Sequence, residues 1–212
     1  MRAFCAAVIL LTLSTWAAAV PIAAAGGGSG PDNFSGTVTY SGTTLTITLD
    51  NTSSSSDHIT GFVFNVDNGD TVTLSSNPQN NFYNLGSLGA SSRTASGFGV
   101  YDDGAAVGGD FSGAGNANLG ISKGSTDTFT YNVTGAGASS LTAYDFLTDA
   151  GPSGTDKGQF VVRFNGNACM ACSDASGNTT TPVPLPASSW IGLAAVSLGG
   201  LYAKSRKSRV LA

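Results

Sequence analysis

Thr44-Leu45-Thr46-Ile47-Thr48-Leu49 puts Leu45, Ile47 and Leu49 on one face and three threonines on the other. A period of two is the mark of a half-buried strand, and no stretch between the two ends of the chain carries a helical period. The same alternation recurs in Gly36 to Tyr40, in Thr71 to Leu74 and in Thr128 to Val133. It recurs again in Ile59 to Val66, with Phe62, Phe64 and Val66 inward, in Leu141 to Leu147, and in Gln159 to Phe164, with Phe160, Val162 and Phe164 inward. Ser41-Gly42 reads as a tight hairpin turn, and Asp67-Asn68-Gly69-Asp70 as another. Composition agrees: the chain has no Glu and few Lys, while Thr, Val, Phe and Tyr suit a pleated surface. At least seven short strands parted by Gly, Asn, Asp and Ser predict an all-β fold, an antiparallel β-sandwich with a jelly roll as one arrangement open to it. The Gly-rich stretch Asn77 to Ser122 reads as long loops with short strands at Gly97 to Tyr101 and Ala117 to Ile121.

The two ends are of another kind. Met1-Arg2 is a short positive start, Ala3 to Trp16 an apolar run, and small residues follow. That order is a secretory signal peptide. The predicted cut is after Ala25, closing Ala23-Ala24-Ala25, with Ala19 as the alternative. At the other end, Asp174 to Pro182 is a polar linker and Val183-Pro184-Leu185-Pro186-Ala187 a short Pro motif. An apolar stretch of about 17 residues, 187–203, is the shortest that spans a bilayer as one helix. Lys204, Arg206, Lys207 and Arg209 form a basic stop that stays cytoplasmic and leaves the preceding domain outside. The chain is thus expected to divide into a leader (1–25), a β-domain (26–173), a linker (174–182) and a C-terminal signal (183–212).

Those last residues resemble the PEP-CTERM sorting signal in its V-P-L-P-A variant, with Leu185 where the commoner form has Glu. The resemblance covers Val183 to Ala212. It implies processing by an exosortase, a Gram-negative-type envelope, and association with exopolysaccharide or biofilm matrix. The expected route is export, residence in the inner membrane as a precursor through the C-terminal helix, then the cell surface or extracellular matrix.

Charge narrows the partners. The part between the ends holds thirteen Asp against four Lys or Arg, a net charge near −9. Such a surface repels nucleic acid and anionic membrane. Chemistry is sparse. His58 is the only histidine, in an expected loop beside Ser53 to Ser56 and Asp57, and no G-x-S-x-G supports a triad. The carboxylate pairs Asp67/Asp70, Asp102/Asp103 and Asp145/Asp149 invite a glycosidase reading. In loops rich in Gly and Asn, however, Asp serves turns first. No catalytic residue and no cofactor is expected, calcium aside. Asp67, Asp70, Asp102, Asp103 and Asp110 have the oxygen-donor character of a structural calcium site. Cys169 and Cys172, exported, are expected to form a small disulfide. The expected function is a non-enzymatic surface or matrix protein. Its rivals are a carbohydrate-binding module, for which Tyr83, Tyr101 and Tyr144 are the candidate stacking groups, and a calcium-stabilised adhesion module.

Overall fold

The structure, a computed structural model, describes residues 18–23, 32–66, 69–77, 81–95, 98–113, 115–148, 160–166 and 175–177. Its regular structure is almost entirely antiparallel strand. In chain order these are β1 (Val20–Ala23), β2 (Phe34–Ser41), β3 (Thr44–Asn51), β4 (His58–Phe64), β5 (Thr71–Ser76), β6 (Phe82–Asn84), β7 (Thr94–Ala95), β8 (Gly99–Val100), β9 (Asp103–Val107), β10 (Thr126–Thr134), β11 (Phe160–Asn165) and β12 (Ala175–Gly177). A single α-helical turn, α1 (Asp145–Thr148), precedes β11. The first sheet runs β1-β2-β3-β10-β5, the second β12-β11-β4-β9-β6, and β7 pairs with β8 as a separate ribbon. All of these elements belong to a compact unit, Met1–Thr180; Thr181–Ala212 sort as a second unit, outside the described residues. Among the described residues no helix is long and apolar enough to cross a membrane.

The first sheet is built as its alternation predicts. Val38, Leu45, Ile47, Leu49, Phe129, Tyr131 and Val133 are buried on one face. The other face carries threonines in register across three strands: Thr37 opposite Thr48 opposite Thr128, and Thr39 opposite Thr46 opposite Thr130. Thr48 and Thr128 share a hydroxyl hydrogen bond of 3.0 Å. The β2–β3 turn needs Gly42, whose φ of 64° lies in the left-handed region that glycine enters without a Cβ clash.

The second sheet is buried on both faces along β4, β9 and β11. Its inner face meets the first sheet through aromatic rings: Phe62 lies 4.7 Å from Phe129 edge-on and Phe64 lies 5.5 Å from Tyr131, while Phe62 stacks at 5.7 Å on Phe160 of its own sheet. Its outer face carries a second cluster, in which Val63, Ala106 and Val161 pack with Leu85, Ala95, Tyr101 and Phe111. The Gly-rich stretch between β5 and β10 thus supplies a second apolar layer, along with β6 and β9, beyond the loops its composition predicts. β9 and β4 approach closely at Gly104, where a Cβ would fall 2.1 Å from the Phe62 carbonyl oxygen.

Other differences from the sequence reading have physical reasons. Leu141 to Leu147 alternates, yet it forms a turn and α1. Thr142 and Asp145 make a capping pair, the Asp145 carboxylate accepting from the Thr142 amide and, at 2.7 Å, from its hydroxyl. Ala117 to Leu119 is a 3-10 turn capped by Asn116, after which Ile121 bridges to Ile59. β12 pairs with β11 within the expected linker. β1 lies within the expected leader and pairs with β2 from Val20 opposite Val38 to Ala23 opposite Ser35.

Candidate functional site

The described residues enclose a cleft of about 330 Å³ where β5, at the edge of the first sheet, comes beside β6 and β9 of the second. Asp70 reaches it from just before β5, Asn84 from the end of β6, Arg93 from the 3-10 turn Ala90–Arg93, and Asp102 and Asp103 from the start of β9. Three of the sequence-predicted acids therefore share one cavity. The volume sits at the small end of the range for small-molecule sites.

Each carboxylate in the cleft already serves the backbone. Asp102 Oδ2 accepts from the Val66 amide at 3.1 Å, and Asp70 Oδ1 from the Gly137 amide at 3.1 Å. Asp103 Oδ1 accepts from the amides of Gly86 at 2.9 Å and Gly104 at 2.6 Å. Arg93 Nη1 donates to the carbonyls of Asp102 at 2.9 Å and Gly86 at 3.3 Å. Asn84 Oδ1 accepts from the Leu74 amide at 3.0 Å and ties the two sheets together. These bonds fix three loops around the cleft wall.

Asp103 is only 3% exposed, and burial pushes its carboxyl up from 3.8 to about 7. The amides of Gly104 and Gly86, the Arg93 charge and an Asn84 side-chain hydrogen bond oppose that rise without cancelling it. A buried acid that titrates near neutrality beside a cleft is the kind of group active sites use. Here its accepting oxygen is held by two amides within the wall. The Tyr131 hydroxyl, fully buried and with no hydrogen-bond partner among the described residues, is pushed up by burial first and by the Asp103 charge second.

The remaining candidates lie elsewhere. Asp110 Oδ1 caps a turn, accepting from the Ser112 amide at 2.9 Å and its hydroxyl at 3.0 Å. Its charge supports Arg163, whose guanidinium is pulled down by burial and donates Nη1 to the Phe111 carbonyl. Among the described residues no three His, Cys, Asp or Glu side chains converge in a group able to hold a metal ion. Asp67, Asp149, Cys169, Cys172, the motif Val183 to Ala187 and the basic residues Lys204, Arg206, Lys207 and Arg209 lie outside the described residues.

His58 is not in a loop but opens β4 opposite Asn165, with Nδ1 buried and without a partner among the described residues. The neighbouring hydroxyls are used locally: Ser53 bonds the Asn33 carbonyl at 3.2 Å and Ser55 the Asp32 carboxylate at 2.6 Å. Of the three candidate stacking tyrosines, Tyr101 is buried in the outer cluster, while Tyr83 is 58% exposed and Tyr144 42% exposed. Tyr83 shares a patch with exposed Leu88, since a Cβ on Gly109 would lie 3.8 Å from Tyr83 Cβ and 3.6 Å from Leu88 Cδ1. Asn84 and Arg93 carry no motif and escape sequence reading. The only hint is that Arg93 is one of four basic residues between the ends. No family model, curated protein or solved structure matches the chain.

Proposed function

We propose that this chain is the precursor of an exported, non-enzymatic surface or matrix protein, whose β-sandwich is delivered by an exosortase and resides in extracellular polysaccharide. The observation that carries the reading is the three-part order at the C-terminus: Val183 to Ala187, the apolar stretch 187–203, and the basic run from Lys204 to Arg209. Ring contacts between the sheets, such as Phe62 with Phe129, support the sandwich. A structural role is supported by the cleft, whose acids and arginine are engaged with backbone groups. Cys169 and Cys172 form a disulfide in the mature protein.

The test is expression of the full chain in a host with an exosortase of V-P-L-P-A specificity and in the same host without it. Intact-mass measurement of the surface fraction should show loss of the C-terminal signal only in the first host. A surface form ending at Ala212 in both would overturn the reading.

One observation favours a second reading, a carbohydrate-binding module: exposed Tyr83 beside Leu88 on the edge strand β6, next to a polar cleft. Sugar rings stack on such tyrosines. A glycan array in which the mature domain binds and Tyr83→Ala does not would establish it. Equal signals from both proteins would remove Tyr83 from consideration.

A further inference from the structure

Two stretches near the N-terminus offer small residues at the positions a leader peptidase reads: Ala17 with Ala19, and Ala23 with Ala25. They differ in what they leave behind. A cut after Ala25 discards Val20–Ala23, and a cut after Ala19 keeps it as the first residues of the mature chain. We propose that cleavage falls after Ala19, so that the mature protein begins at Val20 and its first residues are strand β1. The proposal rests on the export reading above and adds the position of the cut.

β1 is built into the sheet. It pairs residue by residue with β2, Val20 opposite Val38, Pro21 opposite Thr37 and Ile22 opposite Gly36. Its side chains alternate as a half-buried strand requires: Val20 and Ile22 belong to the main core, and Pro21 between them is exposed. Ile22 is 1% exposed. Its Cγ1 would lie 3.4 Å from a Cβ on Gly36, so the glycine opposite leaves room for it. β1 is also the edge of its sheet, a place where a strand accommodates a proline, which has no N–H to give to a ladder. A proline there also blocks further strand addition, which protects the edge of an exported sheet.

The alternative leaves a defect. Without β1, the full length of β2 becomes the edge, and Val38 loses Val20, its partner across the register. Ala18 and Ala19, by contrast, are exposed and outside any strand, so ending the leader there removes nothing from the core.

The test is N-terminal sequencing and intact-mass measurement of the chain exported by a Gram-negative host. A mature form starting at Val20 supports the proposal. A form starting at Gly26 overturns it while leaving export standing, and an exported fraction still carrying Met1 overturns both. Two variants guard the assignment. Ala19→Tyr, at an exposed position, should abolish processing at Val20 and accumulate precursor at least tenfold, whereas Ala25→Tyr should leave the mature mass shifted only by the substitution. Precursor accumulating with Ala25→Tyr and not with Ala19→Tyr would refute the site.

Discussion

Asp103→Asn separates the cost of the buried carboxyl from the benefit of its hydrogen bonds. The unfolded chain releases the Asp103 proton near 3.8, while the folded chain holds it to about 7. Between those values the folded state binds more protons than the unfolded one, so stability falls as pH rises. The penalty is absent well below 3.8, grows through the window, and is complete above about 7. Each tenfold difference in proton affinity between the two states is worth ~1.36 kcal/mol, so the loss between pH 5 and pH 8 is on the order of 2–3 kcal/mol. Asparagine keeps an oxygen for the amides of Gly86 and Gly104. It puts an NH₂ group where Asn84 now bonds the carboxylate, which costs about 1–3 kcal/mol. The variant should therefore be more stable than the parent by about 1–3 kcal/mol at pH 8, and within about 1 kcal/mol of it at pH 5. Urea unfolding followed by far-UV circular dichroism at both pH values measures the difference. Every other group is common to both proteins and cancels. Parent and variant curves that stay parallel from pH 5 to pH 8 would show that the reasoning about Asp103 is wrong.

Phe62→Ala opens a cavity among Phe64, Phe129, Tyr131 and Phe160 and should cost about 3–5 kcal/mol in a denaturant titration. Gly104→Ala forces a Cβ into the Phe62 carbonyl at a φ of 157°; a loss of at least about 2 kcal/mol is expected, and a neutral result would mean β4 and β9 are not so close. Asp145→Ala removes the capping pair with Thr142 and should cost about 1 kcal/mol, seen as a lower thermal midpoint. Asp127, inward on β10 with an Oδ2 that has no partner among the described residues and a carboxyl raised by burial, is penalised as pH rises; Asp127→Asn should raise the midpoint at neutral pH, and the gain should fade in acid.

Strands with one wet face were legible in the sequence because burial writes itself there as alternation. β2, β3, β5 and β10 stand where Thr and Val or Leu trade places. β9 hid because Asp103-Gly104-Ala105-Ala106-Val107 is buried on both faces and has no alternation to show. The outer cluster hid because Leu85, Ala95, Tyr101 and Phe111 are spread among glycines and serines, and only the fold gathers them. Leu141 to Leu147 misled because a chance alternation coincided with a capping pair. The cleft was half legible: Asp70, Asp102 and Asp103 could be singled out by type. Their engagement with backbone amides, and the parts of Asn84 and Arg93, depend on contacts between residues far apart in the chain.

The threonine rows on the open face of the first sheet have an electrostatic consequence. Between Thr37 and Thr130 that face offers hydroxyls and methyls at strand spacing, and among the residues of β2, β3 and β10 that point outward only Asp50 is charged. Dissolved ions have almost nothing there to screen. A contact made on these rows would draw on hydroxyl hydrogen bonds and methyl burial, with Asp50 as the one charge there for ions to act on, whereas the cleft beyond β5 gathers Asp70, Asp102 and Asp103 around Arg93.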